Sequence, residues 1–416
     1  MKIKLNLNWC FLFFVFLFTS AAYAFDAWGI NFPLAIIVLL IFAYDVISVF
    51  KQQKIRLTKY QSTEIYYGYG LLLVIAVFSG IINGFPKFSI HNMAQFFYMP
   101  FFVSFLHNVI KTRSTIYRLM RLIGWVFWLN LIAFLFQQFV LGMTRDELAG
   151  IFGVTTGNQS YSSMLLVLYS LYVLAMYNAK RMSGKYTVAV LAACLYQAAI
   201  GEVKVYFVAL ILIMGCLFFM SRFSLRKCGI AIVLLVCGML AVAVLEALYP
   251  EFAGFLSPSA ILNTITNDRG YTKTGDINRL NGVFIMRQYM NTPQVFLMGI
   301  GVGNGASETA FHRSFGWLHY NWFSYSYIFV ELGILGLITI LATHIIDSLH
   351  LLRGYYHEKD EELKNWFMIS FIYSVIIFAY LFYNRNHFTI IGALYNSLLI
   401  SIPSIYQKAR ENRRVQ

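Results

Sequence analysis

The sequence predicts an all-α, polytopic integral membrane bundle of about twelve transmembrane helices carrying one large loop late in the chain. Three observations predict it. Of the 416 residues, 59% are hydrophobic and only 12% charged, against roughly 25% charged in soluble domains. Apolar runs of about 20 residues recur along the length, which is what a helix rising 1.5 Å per residue needs to cross a hydrocarbon core about 30 Å thick. The basic residues, finally, alternate between rich and poor connecting segments.

The spans read as 9–25, 31–50, 67–84, 94–110, 119–142, 160–178, 186–201, 205–221, 229–249, 322–349, 366–383 and 387–405. No soluble domain separates them, so residues 1–416 form one transmembrane domain. The first span has a basic start, an apolar stretch and Ala22-Tyr23-Ala24, which together imitate a cleavable signal. An uncleaved helix is expected instead, because cleavage would leave the orientation one helix short.

With both termini in the cytoplasm, 23 of the 32 Lys and Arg fall on inside segments. The other nine, Lys87, Arg145, Lys204, Arg269, Lys273, Arg279, Arg287, Arg313 and Arg385, fall outside. Cytoplasmic loops favour Lys and Arg, so the net charge of +14 is mostly topological and requires no nucleic acid. Cys10, Cys194, Cys216, Cys228 and Cys237 lie in or beside apolar runs without ligand spacing. Neither a disulfide nor a metal site follows from them.

Residues 250–321 join the ninth and tenth spans on the outside. A loop of this size is usually functional. It holds a helix-like stretch from Asp276 to Asn291, with Pro293 just beyond, and then Gly299-Ile300-Gly301-Val302-Gly303-Asn304-Gly305. Arg279 and Arg287 are eight residues apart, about 12 Å along one helix and offset by about 80°. Two such guanidiniums suit an extended phosphate-bearing ligand, since each fork donates bidentate hydrogen bonds and stays charged; they also read as solvated loop charges. Lys204, in Gly201-Glu202-Val203-Lys204, is either a phosphate contact or a snorkelling boundary charge. His319, just before the tenth span, is either a proton acceptor or a structural interfacial residue. The glycine string lacks the strand and helix of a dinucleotide fingerprint and reads as a flexible turn beside a substrate channel. Few charges lie within the spans, which counts against a transporter.

The order Arg279, Arg287, Gly299-Ile300-Gly301-Val302-Gly303, His319-Tyr320-Asn321 and Glu331-Leu332-Gly333-Ile334-Leu335-Gly336 resembles the O-antigen polymerase and ligase superfamily. The resemblance covers about 60 residues in order, and the rest of the chain only in hydropathy. Two positions depart from the family pattern: Tyr320 splits the usual His-Asn pair, and Lys204 stands where an Arg is common.

The resemblance implies an inner-membrane, metal-independent, inverting glycosyltransferase without a cofactor. Its substrate would be a lipid-linked oligosaccharide on undecaprenyl pyrophosphate, presented at the periplasmic face. Lys204, Arg279, Arg287 and Arg313 would bind the pyrophosphate, and His319 would orient or deprotonate the acceptor. Membrane lipids, a chain-length regulator and a flippase are the implied partners. A polymerase of repeat units for O-antigen, capsule or exopolysaccharide is the first expectation. A ligase transferring polymer to a lipid A core, a polysaccharide flippase or other transporter, and a non-catalytic scaffold are the alternatives.

Overall fold

The computed structural model describes residues 7–30, 32–52, 63–86, 89–155, 157–220, 282–305 and 317–415, with isolated positions 236, 239, 243, 247, 275 and 277. Among these residues the chain is all-helical, and its apolar helices mark a membrane protein. In order the helices are α1 (Leu7–Ser20), α2 (Leu34–Gln52), α3 (Thr63–Asn83), α4 (Ser89–Val109), α5 (Arg113–Phe139), α6 (Gln159–Asn178), α7 (Gly184–Ile200) and α8 (Lys204–Met220). Two short helices follow, α9 (Gly282–Arg287) and α10 (Pro293–Met298), then α11 (Ser324–His357), α12 (Glu361–Tyr383) and α13 (Ile390–Val415).

Among the described residues six helices, Thr63–Asn83, Arg113–Phe139, Gln159–Asn178, Ser324–His357, Glu361–Tyr383 and Ile390–Glu411, are long and apolar enough to cross a membrane. That is half the expected number of spans, and the reasons are local. Four apolar helices, Asn8–Ser20, Leu34–Ile47, Gly184–Ile200 and Lys204–Met220, are shorter. Helix α4 has sufficient length but carries His91, Asn92, Gln95 and an internal Pro100. The span expected over 229–249 lies outside the described residues except at isolated positions. The first helix stops at Ser20, short of the expected residue 25, because the chain turns through a 3-10 segment at Asp26–Trp28.

Side-chain caps set several boundaries. Thr112 accepts from the Thr115 amide, Ser183 from Tyr186, and Asp360 from Glu362 and Leu363; each supplies an acceptor to an amide that has none within the helix. The packing centre is α11, held between α3 and α12, with α13 against α4 and α12. The connections sort into two ends. At one, the Asp26 carboxylate accepts from the amides of Val154 (2.8 Å) and Thr155 (3.1 Å), Arg145 pairs with Glu202 at 3.3 Å, and Ser160 donates to Asn386 at 2.9 Å. We call this the loop-rich end. At the opposite, charged end, Arg181 meets Glu362 (3.4 Å), Arg113 meets Asp360 (3.8 Å), and Arg410 meets Glu358 (3.3 Å).

Helix α11 is broken at Gly333, whose φ of 68° and ψ of −167° are not helical. A Cβ there would overlap the Leu297 carbonyl and the Gly299 amide. Both the left-handed backbone and the close approach therefore demand glycine. Gly333→Ala is expected to destabilise the fold by ~2 kcal/mol or more, read as a lowered melting temperature in detergent. Gly70→Ala, on an exposed helical face with nothing near its added Cβ, should instead be neutral or stabilising, by about 0.5–1 kcal/mol.

Candidate functional site

The break in α11 creates a polar centre at the loop-rich end. In an unbroken helix the carbonyls of Val330 and Glu331 would accept from residues 334 and 335. Here Val330 accepts from the Ile300 amide at 2.9 Å, and Glu331 from the Gly301 amide at 3.1 Å. The glycine segment thus completes the ladder that Gly333 interrupts. It is fastened from the other side by α3 and α4: Ser79 donates to the Met298 carbonyl (2.6 Å), Asn83 to that of Gly299 (3.2 Å) and Ser89 to that of Val302 (2.7 Å). The sequence reading of a flexible turn is corrected, since the backbone of 298–302 is bonded on both sides.

The Glu331 side chain closes the arrangement. It is 2% exposed, accepts a short hydrogen bond from the Gly303 amide, and accepts from the Tyr320 hydroxyl at 3.3 Å. Burial, with the Glu331 carboxylate beside it, pushes the Tyr320 hydroxyl well above its ordinary range, so it remains a donor. Arg385, in the turn between α12 and α13, completes the centre. Its guanidinium carbon sits 3.7 Å over the Tyr327 ring, one nitrogen donates to Gln95 at 2.7 Å, and its charge lies within electrostatic reach of Glu331. A guanidinium has five donors in a planar fork, more than Gln95 alone takes up, and matches phosphate oxygens bidentately.

The expected site residues have mixed fates. His319 flanks the centre, its imidazole stacked on Trp322 at 4.2 Å and 15°, and its amide donates to the Gly275 carbonyl at 2.9 Å. Arg287 closes its own short helix: it donates to the Met290 carbonyl at 2.9 Å and lies 4.5 Å over the Phe296 ring. Of the described residues in the expected Asp276–Asn291 helix, 277 and 282–291, only Gly282–Arg287 is helical, and the chain turns at 288–289. Pro293 opens a second helix, with Thr292 accepting from Val295. Lys204 begins α8 at a different corner, beside Glu202, whose carboxyl is raised by burial against the opposing pull of Arg145 and Lys204. His319, Arg287 and Lys204 therefore reach the loop-rich end on three separate elements. Arg279 and Arg313 lie outside the described residues.

Sequence reasoning missed Arg385, Tyr320, Tyr327 and Gln95 as site residues. For Arg385 a signal existed: the expected topology assigns this arginine to the outside, where basic residues are disfavoured, the same criterion that singled out Arg279 and Arg287. The other three read as ordinary aromatic and helical positions. No protein-family model and no characterised protein matches this chain.

Glu331→Ala strands the Gly303 amide and removes the Tyr320 acceptor. An orphaned buried donor costs about 1–3 kcal/mol. Amide hydrogen exchange over 299–305 should therefore accelerate roughly five-fold or more, while exchange in α6 stays unchanged. Equal protection in the variant would show that the carboxylate does not hold the segment.

Proposed function

We propose that the chain is a glycosyltransferase of the bacterial inner membrane that joins undecaprenyl-pyrophosphate-linked oligosaccharide repeat units. In this reading all the expected spans cross the bilayer, both termini are cytoplasmic, and the loop-rich end with 250–321 faces the periplasm. The single observation that carries it is the convergence of Arg385, Glu331 and the glycine segment at one end of an apolar bundle. A lipid-borne pyrophosphate would present its charge at that level while its tail stays among the helices.

The chemistry is an inverting displacement. An acceptor sugar hydroxyl attacks the anomeric carbon, the bond from that carbon to the pyrophosphate oxygen breaks, and the hydroxyl proton passes to a base. His319, stacked beside the centre, orients the acceptor or takes that proton. Arg385, together with Arg279, Arg287 and Arg313, binds the pyrophosphate and stabilises the charge that develops as it leaves, while Lys204, at its separate corner, adds only to the positive potential of the same end. Glu331 is buried behind the glycine segment and acts as the brace that positions it.

Arg385→Ala, Arg279→Ala and Arg287→Ala should each lower surface polymer at least about ten-fold at unchanged protein level, as expected for loss of a charge-assisted contact. Lysine at these positions should rescue poorly, because a point charge replaces the fork. Deleting the gene separates the classes. Single repeat units on the acceptor lipid support the polymerase. Long polymer left on undecaprenyl pyrophosphate would assign a ligase instead. Single units trapped on the cytoplasmic leaflet would assign a transporter and remove the enzyme reading. A reporter fused at Ala306 should report periplasm; a cytoplasmic signal would overturn the site's placement.

A further inference from the structure

The core of the bundle contains ionisable side chains that the glycosyl-transfer site does not use. His344 on α11 and His387 in the turn between α12 and α13 are both fully buried. Their rings are 5.1 Å apart and edge-on, at 89°. Among the described residues none of their four ring nitrogens has a hydrogen-bond partner. An imidazole buried without partners is costly, and each such group in a native structure calls for an explanation. Two in contact inside an apolar bundle are far from what packing alone would select, since ionisable residues within membrane helices are expensive and mark ion or proton routes.

The line continues through the bundle. Asp347 follows His344 by three residues, on the same helix face, and is 2% exposed. It accepts a long hydrogen bond from Ser374 on α12 (3.4 Å), which contacts Ser348 at 2.5 Å. Tyr69 on α3 faces His344, with ring centroids 6.4 Å apart, and its hydroxyl donates to the Met99 sulfur. Towards the charged end, His350 pairs with Glu64 of α3 at 2.8 Å. Their charges act on Asp347, and the His350 side chain is 61% exposed. At the other extreme His387 lies two residues from Arg385, and the neighbouring Asn384 side-chain Nδ2 is also buried without a hydrogen-bond partner among the described residues. Facing this line are Tyr69 and Glu64 from α3, Ser374 from α12 and His387 from the turn before α13. Among the described residues no third ligand completes a metal cage.

We propose that this chain conducts protons across the bundle, along His387, His344 and Asp347, to the Glu64–His350 pair. Each imidazole has two nitrogens, so a proton taken up on one is matched by a proton released from the other. His387, in the turn at the loop-rich end, takes up a proton from that side and passes one to His344, directly or through one bridging water. His344 passes it to the Asp347 carboxyl, and Glu64 with His350 exchanges it with solvent. One proton enters and one leaves, the electrochemical gradient supplies the driving force, and no co-reactant is consumed. The inference does not depend on the glycosyl-transfer reading, because no saccharide takes part.

The test uses the full chain in phosphatidylcholine–phosphatidylglycerol vesicles loaded with a pH-sensitive dye, with a valinomycin-clamped potassium gradient setting the potential. Wild-type vesicles should acidify clearly faster than vesicles without protein. His344→Leu, His387→Leu and Asp347→Asn should each slow the flux at least ten-fold. His344→Gln separates titration from packing. It keeps a polar side chain that cannot carry a proton, so it should melt like the wild type and still lose the flux. Thr339→Val, whose hydroxyl only bonds the Leu335 carbonyl one turn back, should conduct normally. Wild-type flux equal to that of empty vesicles would overturn the proposal, as would full flux through His344→Gln or His387→Leu.

Discussion

The loop-rich end depends on one backbone repair. Gly333 interrupts the hydrogen-bond ladder of a helix that is otherwise apolar, and in hydrocarbon each orphaned carbonyl costs several kcal/mol. The carbonyls of Val330 and Glu331 are satisfied by the amides of Ile300 and Gly301. That requirement fixes how closely the 299–303 segment approaches α11. The closeness in turn explains the composition, since a Cβ at Gly299 would overlap the Glu331 carbonyl group and the Leu332 amide. The Glu331 carboxylate then takes the Gly303 amide, which the ladder does not reach. Site and fold are therefore not separable here: the residues that line the polar centre also close the broken helix.

Much of this was legible as composition and little as contact. The helical membrane class followed from apolar run length, and α6 lies within a residue of its expected bounds, because a run of apolar residues ended by polar ones leaves few choices. The Gly299–Gly305 string and Glu331-Leu332-Gly333 were both visible as motifs. Their mutual contact was not, because it requires a non-helical residue inside a segment whose hydropathy is uniformly that of a span. The same uniformity hid what the Glu331 side chain does, which shows only once the Gly303 amide is placed against it. Arg287 is the opposite case: its charge and spacing marked it out, whereas its bond to its own helix end and its place over Phe296 show only in the fold.

The balance of charge inside the bundle also changes with structure. On sequence, Asp347 falls near the end of the expected span 322–349, and the few charges within the spans count against a transporter. In the fold Asp347 is buried, and His387, assigned to the edge of the last span, turns inward against His344. Hydropathy registers a histidine in a turn as mildly polar and cannot say which way the turn folds. What folds this one inward is partly visible: Asn384 caps the turn by accepting the Asn386 amide, and its carbonyl takes the Ser324 amide at the start of α11.

Helix α11 consequently serves both polar systems from its two sides of Gly333. Its first part carries Glu331 and Tyr327 to the loop-rich centre, and its second part carries His344 and Asp347 down the core. The turn 384–389 meets both, since Arg385 lies over Tyr327 and His387 lies against His344. A helix bonded along its full length would transmit a tilt from one part to the other as a rigid rod. A helix broken at one residue and spliced by an outside segment is less rigid there, because its interrupted ladder is completed by that splice. A movement of the 299–303 segment, such as one imposed by a ligand on the loop-rich side, acts first on the Val330 and Glu331 carbonyls beside that break. The turn carrying Arg385 and His387 is where such a movement would be felt by both sets of side chains at once.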